Sequence, residues 1–237
     1  KKTSVTFSSS YSIEHPTKSY EFMVDYPRAL TLHQYAANVN TLKSNWLFKD
    51  GTIDQWMALG MIDPLRYPNT DWWDIIIRNG SVQNNNLSLS GGNERSNFFI
   101  SIGSMDEKGL QINNDYSRYN VRFNYDYKIR DNMNVGVRFS GNWTKYELAK
   151  ADGFTDDQGG SSGFDLFAAI AGITPYDPVT GYYGGVMAYN ENPQAYNPLV
   201  YYTNTQTYQN RQEANPSFYL DWSPFKGLTA RVDYTLN

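Results

Sequence analysis

The sequence has no cysteine, two histidines, and no run of basic residues longer than Lys1-Lys2. Each shortage removes a class of protein. Without thiols there is no disulfide framework, thiolate zinc centre or cysteine nucleophile. With His15 and His33 as the only imidazoles and no H-E-x-x-H, a zinc site lacks ligands. A net charge of −4 without a basic face argues against nucleic acid, whose phosphates need one. No apolar run approaches the roughly 18 to 20 residues of a spanning helix, which excludes a helical membrane protein. The chain opens on Lys1 with no Met, n-region or h-region, so any targeting segment is expected outside it, and it reads as a piece of a longer protein. Aromatics are plentiful: 16% of the 237 residues, with 20 Tyr, beside 18 Gly.

The dominant pattern is alternation. Val121, Phe123, Tyr125 and Tyr127 alternate with Asn120, Arg122, Asn124, Asp126 and Lys128, which predicts a strand with one apolar and one polar face. Met133, Val135, Val137, Phe139 and Trp143 repeat it against Asn134, Arg138, Ser140 and Asn142. Weaker versions run over 5–13, 87–90, 98–103, 217–222 and 228–236, giving seven strands.

Alternation suits a soluble sandwich as well as a barrel, and the connections separate the two. Short links of turn-forming residues at 91–97, 128–132 and 223–227 alternate with longer ones at 14–82, 106–115 and 146–210. Short turns at one rim and long loops at the other are the pattern of an outer-membrane barrel. Tyr11, Trp143 and Trp222 lie on the apolar face near strand ends, where amphipathic rings suit a membrane interface. Arg122, Asp126, Arg138, Asp221, Arg231 and Asp233 lie on the other face and would look into a wet or plugged lumen. Open edges in lipid leave backbone groups unsatisfied, so further strands are required to close the wall. The expected fold is all-β, an antiparallel transmembrane β-barrel fragment whose long extracellular loops contain short helices.

A family resemblance rests on specific residues. The stretch from Thr70-Asp71-Trp72-Trp73-Asp74 to Ser90-Gly91-Gly92-Asn93-Glu94 resembles the first barrel hairpin of SusC/RagA-type TonB-dependent transporters. The D-x-x-G loop at Asp106 to Gly109 and the strand Asp115-Tyr116-Ser117-Arg118-Tyr119-Asn120 continue the resemblance. It is tight over about 70–145, looser over 1–69, and moderate from about 165, where Asn197-Pro198-Leu199 and Gly227-Leu228 resemble a later hairpin. The resemblance implies a barrel of roughly 22 strands, of which residues 1–237 would be the N-terminal portion, with plug domain, TonB-contact segment and remaining strands outside the chain. It also implies outer-membrane localisation, a SusD-like surface lipoprotein over the mouth, energy from a TonB complex, no cofactor, and import of a glycan or peptide without chemistry on it.

On that reading, capture falls to aromatic rings of the outer loops, which offer flat apolar faces to sugar rings. The candidates are Trp46, Trp56, Trp72 and Trp73 in the first loop and Tyr176, Tyr182, Tyr183 and Tyr189 in the third. Loop packing, lid contact or an interfacial girdle would use the same rings. Pro27 predicts a helix start over 28–43, and Pro64 and Pro68 interrupt any helix beyond it. The apolar 164–173 segment, after a Gly/Ser hinge at 159–163, is expected to fold inward against plug or lid, with simple loop core as the alternative.

Other motifs fail on context. Gly159-Gly160-Ser161-Ser162-Gly163 has the G-x-S-x-G form, but no strand precedes it and both histidines come before it. Asp152, Asp156 and Asp157 lack the spacing of an EF-hand loop and read as a solvated acidic loop, with cation binding left open. Two rival functions stay open: a passive porin or adhesin barrel, and a soluble carbohydrate-binding β-sandwich.

Overall fold

A computed structural model describes residues 2–17, 23–39, 48–149, 154–155, 161–162, 170–185, 197–204 and 206–236. In chain order the elements are β1 (Ser4–Glu14), α1 (Tyr26–Val39), α2 (Thr52–Leu59), α3 (Trp72–Ile76), β2 (Gly80–Gly92) and β3 (Ser96–Lys108). They continue with β4 (Asp115–Arg130), β5 (Met133–Ala149), β6 (Phe154–Thr155), β7 (Ser161–Ser162), α4 (Pro198–Asn204), β8 (Gln206–Phe225) and β9 (Leu228–Thr235). Seven strands form one antiparallel sheet in the order β1-β2-β3-β4-β5-β8-β9; β6 and β7 pair separately as a small hairpin. Each long strand therefore sits beside its sequence neighbour, as hairpin-by-hairpin addition to an up-and-down wall requires.

Register carries the alternation across the whole sheet. Val5, Leu89, Ile100, Phe123, Phe139 and Pro216 lie opposite one another in turn. The next rows bring in Leu87, Ile102 and Val121, then Phe98, Tyr125, Val137, Phe218 and Tyr234. One face is thus a continuous apolar band. On β4 it runs from Tyr119 to Tyr127, which at about 3.3 Å per residue and a tilt of about 40° gives about 20 Å of height, close to the apolar band of a bilayer-spanning barrel. Tyr119 and Trp143 face each other at the long-loop end of this band. Trp222 stands at the opposite end, across from Met133.

Nothing among the described residues covers this band. Ile102 is 56% exposed, Phe218 47% and Val232 64%, and both buried hydrophobic clusters lie in the loops. A sandwich would bury these side chains against a second sheet, so the soluble β-sandwich reading is corrected. The chain is an antiparallel transmembrane β-barrel fragment, apolar face outward.

Loop lengths follow the expected alternation. Short turns join β2 to β3, β4 to β5 and β8 to β9, while the longer connections all leave the opposite rim. At the β8–β9 turn, Gly227 adopts φ 96°, a left-handed conformation that side chains with a Cβ resist. The helix expected from Pro27 is α1, and its 40–43 extension lies outside the described residues. Helices α2 and α3 have no counterpart in the sequence pattern. In α3 the Asp71 carboxylate caps the first turn by accepting from the backbone N–H of Trp73 at 3.0 Å and Asp74 at 3.4 Å.

Candidate functional site

Above the long-loop rim, segments from three connections pack into one cap. In the first loop, Trp56 lies edge-on to Tyr26 and Tyr67 at 4.6 and 5.2 Å between ring centres, and the cluster includes Leu30, Phe48 and Ala171. Trp72 and Ile76 of α3 pack with Ile173, Leu199 and Tyr202. Polar bonds stitch the same segments together. The Trp72 indole N–H donates to the Ile170 carbonyl at 2.7 Å, Thr70 Oγ1 donates to the Ile173 carbonyl at 2.6 Å, and the Asn113 amide donates to the Tyr202 carbonyl at 2.8 Å. Below them, Arg78 holds Asp115 at 2.6 Å and donates to the Gly109 carbonyl at 3.1 Å, fastening the β2 entry to the β3–β4 loop.

This packing sorts the candidate aromatics. Trp56 is 1% exposed and Trp72 3%, so both are core, correcting their reading as ligand platforms: no ring face is open to a sugar. Trp73 is half-buried and Tyr183 packs partly against the second cluster. Tyr176 and Tyr182 are exposed, the latter at 78%. Trp46, Tyr189 and the acidic trio Asp152, Asp156 and Asp157 lie outside the described residues, as does most of 164–173. The described end of that segment, Ile170 to Ile173, packs as loop core, the second of the two readings, for those residues.

The exposed tyrosines sit on a built hairpin. Tyr176 bridges to Tyr183 with their rings stacked at 5.4 Å. At the tip, the Asp177 carboxylate accepts from the backbone N–H of Thr180 at 2.8 Å and Val179 at 2.9 Å. Those two donors hold its carboxyl below the ordinary aspartate value of 3.8. A depressed folded-state value means that this contribution is present above the unfolded pKa and is lost as pH falls through the folded one. At the base, the Asn197 amide donates to the carbonyls of Thr174, Pro175 and Gly184 at 3.1, 2.8 and 2.9 Å, while its Oδ1 accepts from Leu199 N–H at 2.9 Å to cap α4. Asn197 is 5% exposed, and no feature of the sequence except the Asn-Pro helix start pointed to this role. Asn197→Ala removes the three amide bonds to the hairpin base and the cap of α4; we expect a loss of about 2 kcal/mol, read as faster proteolysis at 176–183 in the folded protein.

The second surface is the polar face of the sheet. Register puts Arg122, Asp126, Arg138, Asp221, Arg231 and Asp233 all on it, as the alternation predicts. Five of the six meet around one residue that pattern reading missed, Tyr219. Its hydroxyl donates to Asp126, which also accepts from Arg138 at 3.2 Å. The Arg138 and Arg231 guanidinium groups lie 4.9 and 5.0 Å from the Tyr219 ring centre. Arg231 grips Asp221 with two bonds of 2.6 and 2.7 Å, and Asp233 is the register partner of Tyr219. The ring fits because residue 136 is glycine: a Cβ there would collide with the phenol. Arg122 stands apart, with no carboxylate in reach among the described residues. The described residues contain no group of three or more potential metal-binding side chains.

An open antiparallel wall with one bare apolar face, one charged face and a packed cap on a single rim defines the outer-membrane β-barrel class. The particular kinship comes from relatives. No family model matches. The chain is 25% identical over 173 residues to TonB-dependent receptor P26 of Formosa agariphila, covering 73% of this chain and 16% of that protein. It is 28% identical over 172 residues to TonB-dependent receptor P3 of the same organism, covering 70% and 16%. In structure it matches a chain of the RagAB peptide transporter with a TM-score of 0.67 and 20% identity, over 98% of this chain and 27% of that one. The RagAB peptide importer in its open-open state gives 0.67 at 20% identity, over 99% and 27%. The chain is thus similar, in sequence and in fold, to SusC/RagA-type TonB-dependent transporters, and spans 16% of the length of the curated relatives it matches.

Proposed function

We propose that this chain supplies wall strands and outer loops to a transporter that imports an oligomeric nutrient, glycan or peptide, across the bacterial outer membrane, driven by TonB and partnered by a SusD-like surface lipoprotein. The observation that carries this reading is the uncovered apolar band backed by a charged face, in a chain similar to two TonB-dependent receptors. A lumen lined by Arg138, Asp126, Arg231 and Asp221 is wet unless plugged, and a plugged channel opens only when work is delivered to it. The wall performs no chemistry on its cargo. At the mouth, Tyr176 and Tyr182 present their rings to an arriving substrate, with Tyr183 stacked against Tyr176; half-buried Trp73 is a further candidate platform.

The test is uptake of labelled oligosaccharides and peptides by cells carrying the full-length protein, with and without TonB. Uptake that disappears with TonB and with deletion of the transporter is expected. Uptake that persists without TonB would instead make the protein a passive porin.

A further inference from the structure

The cations on the polar face divide into two groups. Strands β4, β5, β8 and β9 turn Arg118, Arg122, Lys128, Arg138, Arg211 and Arg231 toward it. Four are matched with a carboxylate: Lys128 with Asp131 at 2.8 Å, Arg138 with Asp126 at 3.2 Å, Arg231 with Asp221 at 2.6 Å, and Arg211 with Glu213. Arg118 and Arg122 have none among the described residues; the one polar partner of Arg118 is the Met105 sulfur at 3.9 Å. Both are exposed. They share β4, four residues apart, which is about 13 Å along the strand, and they lie toward the end from which the cap rises.

Each arginine lines its own hollow in the wall. The first, about 180 Å³, places Arg118 beside Ser8, Ser10, Asn84, Asn86 and Asn120. The second, about 420 Å³, places Arg122 beside Asn124, Ser140, Asn215 and Ser217, with Arg138 already held by Asp126. Glu107 is the acidic side chain that β3 turns to this face near Arg118, and it makes no ion pair with it among the described residues. The surroundings are therefore mostly hydroxyls and amides around an uncommitted guanidinium, with Met105 in the first hollow and Phe139 in the second. A guanidinium recognises a planar or tetrahedral oxyanion through paired N–H donors. Serine and asparagine side chains suit sugar hydroxyls, and apart from Met105 the first hollow offers no apolar socket for a peptide side chain.

We propose, building on the import reading, that Arg118 and Arg122 form two successive contact points for a carboxylate- or sulfate-bearing oligosaccharide travelling down the wall from the cap. With no carboxylate in reach among the described residues, each binds the acidic group without first breaking an ion pair of the wall, and releases it readily to the next.

The experiment uses the full-length transporter in its native membrane, with Arg118→Gln, Arg122→Gln and the double variant. Gln keeps length and polarity at exposed positions, and heat-dependent gel mobility of the barrel verifies folding. Probes are labelled oligogalacturonate, a sulfated galactan oligosaccharide, a neutral maltooligosaccharide and a glutamate-rich peptide. The expected result is uptake of one of the two acidic oligosaccharides, reduced about tenfold by each substitution and weakened by added salt, with uptake of the neutral sugar unchanged by the variants. The proposal is overturned if the double variant imports acidic oligosaccharides like wild type, or if wild type prefers the neutral sugar or the peptide. Failure of wild type to import any of the four, under conditions where TonB removal also changes nothing, overturns the import reading itself and this proposal with it.

Discussion

Replacing Trp72 with alanine should destabilise the outer cap by about 3 to 5 kcal/mol, the loss found for large aromatic-to-alanine changes in well-packed sites. The indole is 3% exposed, fills the space between Ile76, Ile173 and Leu199, and donates to the Ile170 carbonyl. The substitution therefore opens a void and leaves that carbonyl unpaired. Trp56→Ala should be similar, since its ring wedges between Tyr26 and Tyr67. Tyr182→Ala, at a residue 78% exposed, should leave stability nearly unchanged. Limited proteolysis of the outer loops on intact cells, together with thermal unfolding of the purified full-length protein, separates these cases. A Trp72→Ala protein as protease-resistant as wild type but deficient in uptake would return Trp72 to the ligand-binding set.

The second large effect concerns the wall. Val137 lies between Tyr125 and Phe218 on the apolar face, while Ser140, three residues later, faces the polar side opposite Arg122. Val137→Arg places a charge in hydrocarbon and should cost about 2 to 4 kcal/mol near the bilayer midplane. Ser140→Arg adds a charge to a surface that already carries several, and should be far milder. Reversible unfolding in lipid vesicles measures both. Equal penalties would contradict the assigned facing.

Period two made the wall legible in the sequence, because a strand with lipid on one side and water on the other must write both solvents into its residues. Val135, Val137 and Phe139 declare one side; Asn134, Arg138 and Ser140 declare the other. Where that constraint lapses, so does legibility. The strand read as beginning at 217 starts at Gln206, and its first half, with Gln209, Arg211, Glu213 and Asn215 interleaved by Asn210, Gln212 and the small Ala214, shows no apolar alternation. Alternation puts Tyr219 on the polar face between Ser217 and Asp221, but its role shows only when register sets it opposite Gly136 and beside Asp126. The loop tryptophans failed for a different reason. Trp56 and Trp72 sit in helices of eight and five residues, too short for periodicity to tell a buried face from an exposed one. Their partners Ala171 and Ile173 are about a hundred positions away.

The confinement of both buried clusters to the loops means that this molecule solves two folding problems in two different solvents. The wall is held by backbone bonds and a surrounding oil, and ordinary denaturants act on it slowly. The cap collapses because water expels Trp56, Trp72 and their neighbours, as in any small aqueous globule, and it can complete that collapse only after its segments have reached the outside. The two halves should therefore melt as separate events, the cap first in urea and the sheet long after.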